Sequence, residues 1–344
     1  MNKNIKQAVI LIFITIGIII FLLNPDTVRN GAIKGLKLCA NIIIPSLFPF
    51  SVLCLFIAKS ECLIFFKKII TPFSKILFGL NYYAFFAMLL SFLGGYPVGA
   101  KIIETLKNEN KISKKCAKIM LSYCINAGPA FIIIAVGDCI LGSKVLGSLL
   151  LFSHLLSSFI IALLCKPLLK DEVHTTENHK KTNIILSDVL VQSTADSCTA
   201  VISICSFVVL FSVIINILEN TEIILIKEYI VPLLEVTSGI TKTKNIYIIS
   251  GLLGWGGICV HCQIFSVIKN LRISKLYFYL GRTTHSLLSV LITYLILKFI
   301  PLPVETLSNN ISFLSSLSSL STAGAISFIL SGFVLIGSIN FRKY

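Results

Sequence analysis

Charge is scarce in this sequence, acidic charge most of all: 15 Asp and Glu stand among 344 residues against 30 Lys and Arg, and charged residues total 13%. Soluble domains carry roughly a quarter, so a soluble globular fold is excluded. Gly-Lys phosphate loops, zinc-protease His-Glu helices and Gly-x-Ser-x-Gly elbows are absent, so no enzyme active site can be named and nothing points to ATP use. No small-residue cleavage site follows the apolar run Ala8 to Leu23; Asn24-Pro25-Asp26 follows instead. An uncleaved first span with a cytoplasmic amino terminus is expected. Eleven cysteines are scattered through apolar runs and do not read as a disulfide framework. Cys259 and Cys262 enclose His261, but a zinc site needs a second ligand pair that is missing, so neither metal nor cofactor is expected.

What is present is apolar: 56% of residues are hydrophobic, with a mean hydropathy of +0.92. Runs long enough to approach a hydrocarbon thickness of about 30 Å recur near 8–23, 38–58, 82–100, 116–136, 145–165, 199–218, 222–240, 246–268, 285–300 and 323–340. Not all need be full spans. The basic residues fall in short loops between these runs, which suits positive-inside orientation and not nucleic-acid binding. Expected is an all-α polytopic transmembrane bundle, with the lipid bilayer as its surroundings.

The halves resemble each other at a nearly constant offset. Phe50-Ser51-Val52-Leu53 recurs as Phe211-Ser212-Val213-Ile214, 161 positions on; Leu93-Gly94 matches Leu253-Gly254 at 160, and Ile112-Ser113-Lys114 matches Ile273-Ser274-Lys275 at 161. Duplication and chance likeness between apolar halves both produce such matches. Read as duplication, the chain divides into an anchor (1–29), a first repeat (30–165), a polar cytoplasmic loop (166–186), a second repeat (187–300) and a C-terminal loop with a last helix (301–344). Basic clusters around Lys101 to Lys118 and Lys269 to Arg282 then sit in equivalent loops. The sequence leaves open whether the repeats are inverted or parallel; these shared basic loops would favour one side for both, against the inverted arrangement common in transporters.

Glycine and proline interrupt the apolar runs at Gly94, Gly95, Pro97 and Gly99, at Gly128 and Pro129, at Gly239, and at Gly254, Gly256 and Gly257. Unwound backbone at membrane depth persists only where protein or a water-filled cavity satisfies it. Paired breaks therefore point to broken or re-entrant hairpin helices around a binding site, while close helix packing is the plainer use of the glycines. Hairpins are expected near 82–100 and 246–268. Around them stand the candidate substrate residues Tyr96, Lys101, Asn126, Glu235, Thr237, Ser238, Gln263, Arg282 and His285. Lys101 and Arg282 either face the site or snorkel to the interface. Glu235 either carries a coupling proton, caps a broken helix or pairs with a base.

At Pro45-Ser46-Leu47-Phe48-Pro49-Phe50, Gly95-Tyr96-Pro97-Val98-Gly99-Ala100-Lys101, Asn126 to Phe131, Glu235 to Gly239, Val260-His261-Cys262-Gln263, and Arg282 with His285, the chain resembles the sporulation integral membrane proteins of the YlbJ or SpoVV type, with their Gate (nucleoside recognition) modules. The resemblance implies a transporter at the outer forespore membrane of a spore-forming bacterium, carrying dipicolinate, with other sporulation membrane proteins as candidate partners. Two readings stand beside it: a nucleoside or small-anion permease, and a non-transporting morphogenetic protein needed for the spore cortex.

Overall fold

The structure, a computed structural model, describes residues 3–60, 62–169, 185–221, 223 and 226–299. The expected last helix and most of the polar loop lie outside them. All regular structure among the described residues is helical, in the order α1 (Lys3–Leu23), α2 (Pro25–Leu38), α3 (Ile44–Lys59), α4 (Lys67–Phe73), α5 (Tyr82–Gly94), α6 (Tyr96–Asn108), α7 (Lys114–Met120), α8 (Lys144–Cys165), α9 (Leu186–Glu219), α10 (Val231–Leu234), α11 (Val236–Thr241), α12 (Ile246–Trp255), α13 (Gly257–Val267) and α14 (Leu276–Phe299). Among the described residues five stretches are long and apolar enough to cross a membrane: Pro25–Lys59, Lys144–Leu169, Leu186–Glu219, Ile246–Leu271 and Leu276–Phe299. A sixth arises if Lys67–Phe78 and Tyr82–Gly94, bent by 85°, form one span. The chain is a multi-pass integral membrane protein built as an all-α bundle.

Two long rods form the spine. A π-helical turn at Cys39–Ile43 joins α2 and α3 into one 35-residue rod. Pro45 and Pro49 remove backbone donors just beyond it, and Ser46 Oγ donates to Ile42 O at 2.5 Å. The other rod is α9. They run antiparallel: Ser51 Oγ meets Ser197 Oγ at 3.0 Å, and Lys59 Nζ meets Asp196 at 2.5 Å. At the other end Asn216 Nδ2 donates to Thr27 O at 2.7 Å. Gly31 and Gly35 make the contact close, because a Cβ on either would fall 2.7 and 2.8 Å from the Cα atoms of Val213 and Val209.

Each rod is followed by a hairpin, a broken span and an unbroken span; in the first half α4 and a π-helical Ser74–Phe78 come before the hairpin. After the first, Asn81 caps α5 by accepting from Ala84 N. The chain turns at Gly95, whose φ of 82° and ψ of 174° are tolerated by glycine alone, and α6 folds back so that a Cβ on Gly99 would touch Ser91 Cβ at 3.0 Å. After α9, a π-helical Ile226–Ile230 and α10 turn at Glu235 into α11. Gly239 lies over Pro232 there, and Lys242 Nζ donates to Lys227 O at 3.3 Å. These are two helical hairpins.

A broken span then follows in each half. The first runs from α7 through an irregular 121–129 into a π-helical Ala130–Ile140; the second runs from α12 through Gly256, in the left-handed region at φ 83°, into α13. An unbroken span, α8 or α14, closes each series. The segment near 246–268 is therefore a broken span and not a hairpin: Ser250 meets Thr293 at 2.9 Å and His261 packs on Phe278 at 4.9 Å, so α12 and α13 run in one direction along α14.

The spacing between counterparts is not constant. The rods start at Pro25 and Leu186, the hairpins turn at Gly95 and Glu235, and α8 and α14 carry His154 and His285, 131 positions apart. The fall from 161 to 140 follows α4 and the π-helical Ser74–Phe78, which come after the first rod and have no counterpart among the described residues after the second. The match of Gly94 with Gly254 thus pairs a hairpin tip with a broken span. Ser113 and Ser274 match because both cap a helix start, accepting from Cys116 N at 2.9 Å and Leu276 N at 3.3 Å.

The bases of the two hairpins bear on the orientation that the sequence leaves open. Lys242, at the base of the second hairpin, pairs with Glu219 at the end of α9 at 2.8 Å. The first hairpin's base, where Asn81 Nδ2 donates to Lys111 O, lies at the opposite end, because α6 packs on Ile268–Leu271, where the second broken span finishes. The hairpins enter from opposite ends of the bundle, the arrangement that inverted repeats have. The basic loops do share one face, with Lys118 Nζ 4.6 Å from the Tyr277 ring. They occupy non-equivalent loops, so their common side carries no argument for parallel repeats.

Candidate functional site

The two hairpin tips, both breaks and both rods meet at one cavity of about 570 Å³, counting its open mouth. Gly95, Tyr96 and Pro97 come from the first tip, and Glu235, Val236 and Thr237 from the second. Gly128 and Phe131 come from one broken span, Val260 and Gln263 from the other, and Ile42, Ile43, Ser46, Leu47, Ile204 and Val208 from the rods. The walls are mostly apolar with a few convergent polar groups, as ligand sites are.

Of the residues expected at the site, Tyr96, Glu235, Thr237 and Gln263 line the cavity. Ser238 does not line it; its amide, with that of Thr237, donates to the Glu235 carboxylate at 2.7 and 3.0 Å. Glu235 is buried and caps α11, one of the three roles its position allowed. Asn126 is buried behind the cavity, donating to Tyr123 O at 2.8 Å and Ser91 Oγ at 3.2 Å. Lys101 points elsewhere: its side chain is 23% exposed and pairs with Glu104 at 2.8 Å one turn along α6. The charge carries it to its own carboxylate instead of to the cavity.

Among the breaks, Gly94 faces Val98 inside the first hairpin, and Gly99 presses on the Cys124 backbone. Pro129 opens the π-helical segment after Gly128, and Gly239 closes the second hairpin. Gly254 lets α12 meet α14, while Gly256 and Gly257, both at positive φ, form the break between α12 and α13. His261 has a packing role, with Nε2 3.0 Å from Trp255 O and its ring against Phe278.

Arg282 and His285 are fully buried one layer behind Tyr96. The break at Gly256 interrupts the bonds that would cap the end of α12 and exposes its last carbonyls. Tyr96 Oη donates to Leu253 O at 2.7 Å, and Arg282 Nη1 donates to Gly254 O at 3.2 Å. A cation is favoured at this helix C-terminus. No described carboxylate pairs with the guanidinium, whose other contact is Nη2 to His285 Nδ1 at 2.9 Å. Guanidinium only donates, so His285 Nδ1 accepts and its Nε2 donates to His154 O at 2.9 Å. His154 in turn accepts from Ala127 N at 3.0 Å. Its ring stacks on His285 with centroids 4.3 Å apart.

His154 was not singled out from the sequence. It sits alone in the apolar run 145–165, and the signal that reveals it is its recurrence as His285, 131 positions on.

The chain is similar to the sporulation integral membrane protein YlbJ of Bacillus subtilis (strain 168). The two are 22% identical over 321 residues, which cover 80% of this chain and 79% of that protein. No family model matches the chain, and no solved structure matches it.

Proposed function

We propose that the chain is a sporulation membrane protein that transports a small aromatic dicarboxylate, with dipicolinate as the candidate substrate and the outer forespore membrane as its place of action. The sporulation role rests on the similarity to YlbJ. Transport rests on one observation: two hairpins entering from opposite faces bring their tips to a single cavity, with an arginine behind it that no described carboxylate neutralises. Inverted repeats around a central site with unwound backbone suit alternating access, in which one hairpin at a time opens. Tyr96 offers its ring to an aromatic ligand, Gln263 an amide, and Arg282 the long-range field that a dianion needs in low dielectric. The Glu235 carboxylate on the cavity wall is held by the first amides of α11, which stabilise its charge without removing it.

A nucleoside is the second reading. Glu235, Thr237 and Gln263 on the cavity wall suit ligand hydroxyl and amine groups. Uptake into proteoliposomes holding the purified chain decides between them: labelled dipicolinate should accumulate and labelled uridine should not. Uridine uptake alone would shift the assignment to the second reading. Uptake of neither would leave a non-transporting sporulation protein.

A further inference from the structure

The buried cluster behind Tyr96 contains two donors that the protein leaves unused. The backbone amide of Ala127 donates to His154 Nε2 at 3.0 Å, so that nitrogen carries no proton and the imidazole must carry its proton on Nδ1. That Nδ1–H has no hydrogen-bond partner, and neither has the Nε–H of Arg282. His154 is 1% exposed and Arg282 0%. Buried donors without partners are rare in native proteins, and each calls for an occupant or a cost.

The two groups belong to one connected cluster. His154 stacks on His285, and His285 holds Arg282. Tyr96 lies between the cluster and the cavity: it lines the cavity on one side and meets the His154 ring at 88° on the other, with centroids 6.5 Å apart. It sits at the tip of the first hairpin, so movement of that hairpin moves the partition.

We propose that His154 contacts the transported anion: its Nδ1–H and the Arg282 Nε–H form a donor pair for one carboxylate group once Tyr96 withdraws. This rests on the dicarboxylate reading given above. Both donors want an acceptor, and a carboxylate supplies two oxygens that accept and never donate. Arg282 adds the full charge that a neutral ligand would not use. A trapped water is the competing occupant, since Asn126 Oδ1 nearby in sequence is an acceptor without a partner and a water could serve donors and acceptor together.

The two nitrogens of His154 can be tested separately. A glutamine amide reaches about as far as Nε2 and can keep the bond to Ala127, whereas an asparagine amide reaches about as far as Nδ1 and can keep the free donor. Dipicolinate binding to the purified full chain in nanodiscs is measured by equilibrium dialysis for the parent protein, His154→Gln and His154→Asn. Thermal unfolding without ligand is recorded beside it. The expected result is that His154→Gln loses about tenfold or more in affinity, the loss of one hydrogen bond in a charged site, with little change in unfolding temperature. His154→Asn keeps most of the affinity and unfolds at a lower temperature. These opposite orders are what a purely structural histidine does not produce.

Affinity in His154→Gln equal to that of the parent overturns the proposal and leaves water as the occupant. Affinity that falls in step with stability in both variants overturns it as well. Absence of dipicolinate binding by the parent protein refutes the dicarboxylate reading itself, and the proposal with it, which separates the two failures.

Discussion

Removing Glu235 should loosen the second hairpin tip by an amount the geometry allows us to work out. Its carboxylate accepts from Thr237 N at 3.0 Å and from Ser238 N at 2.7 Å, and the residue is 4% exposed. Those amides belong to the first turn of α11 and have no partner within the helix. Loss of a helix cap costs about 0.5–2 kcal/mol, and a bond to a charged acceptor about 1.5–3 kcal/mol. For Glu235→Ala, which removes both bonds in a buried setting, we take about 2–4 kcal/mol, or roughly 30- to 1000-fold in a local opening equilibrium. Six residues cannot hold a helix by themselves, so the loss should spread through α11. Hydrogen exchange read by mass spectrometry on the chain in nanodiscs should show faster exchange over 235–241 in Glu235→Ala. Glu235→Gln, which retains one acceptor, should fall between the two. Unchanged exchange in the alanine variant, with α9 as protected as in the parent, would refute the capping role and return Glu235 to the list of coupling residues.

Lys101→Met should leave dipicolinate affinity within about threefold of the parent, because Lys101 pairs with the buried Glu104 and does not line the cavity; a tenfold loss in equilibrium dialysis would place Lys101 at the site after all. Gly254→Ala should destabilise the bundle by about 1–3 kcal/mol, since the added Cβ would fall 2.5 Å from Ser286 Cα and 2.7 Å from its N, both backbone atoms that cannot rotate away. An unchanged unfolding temperature would contradict this. In a cysteine-free background, Asn110→Cys and Thr243→Cys should react with an impermeant thiol reagent from opposite faces of the membrane, since they lie at the bases of the two hairpins; labelling from one face would contradict the inverted arrangement.

Much of the fold was legible because burial in lipid leaves a coarse record. Low charge and apolar runs are what lipid demands of side chains, glycine or proline at depth marks backbone that protein must satisfy, and together they led to the helical bundle and to Tyr96, Glu235, Thr237 and Gln263 at the cavity. The order of the repeats was obscured by the same chemistry. Ser113 and Ser274 look equivalent because any helix start profits from a serine cap, and Gly94 and Gly254 look equivalent because any close turn or crossing profits from glycine. Local signals report local geometry, and they cannot say whether a glycine ends a hairpin or lets one span cross another.

Side-chain direction was the other loss. Lys101 lies five residues beyond Tyr96 on the same helix, where a turn of 100° per residue places it about 140° around the axis. It reaches Glu104 and the exterior while Tyr96 faces the cavity. Arg282 and His285 were both visible as ionisable residues in an apolar run, but what holds Arg282 is a carbonyl freed by the break on another helix, and what holds His285 is Arg282 and the His154 carbonyl of α8. His154 needed the repeat itself. At an offset of 160 it faces no histidine, whereas at 131 it falls on His285. The inverted relation brings such a pair together near the axis, where the rings stack at 4.3 Å. A histidine recurring at the structural offset within two apolar spans is therefore a signature of the axis, and in this chain the axis passes beside the arginine that no described carboxylate neutralises.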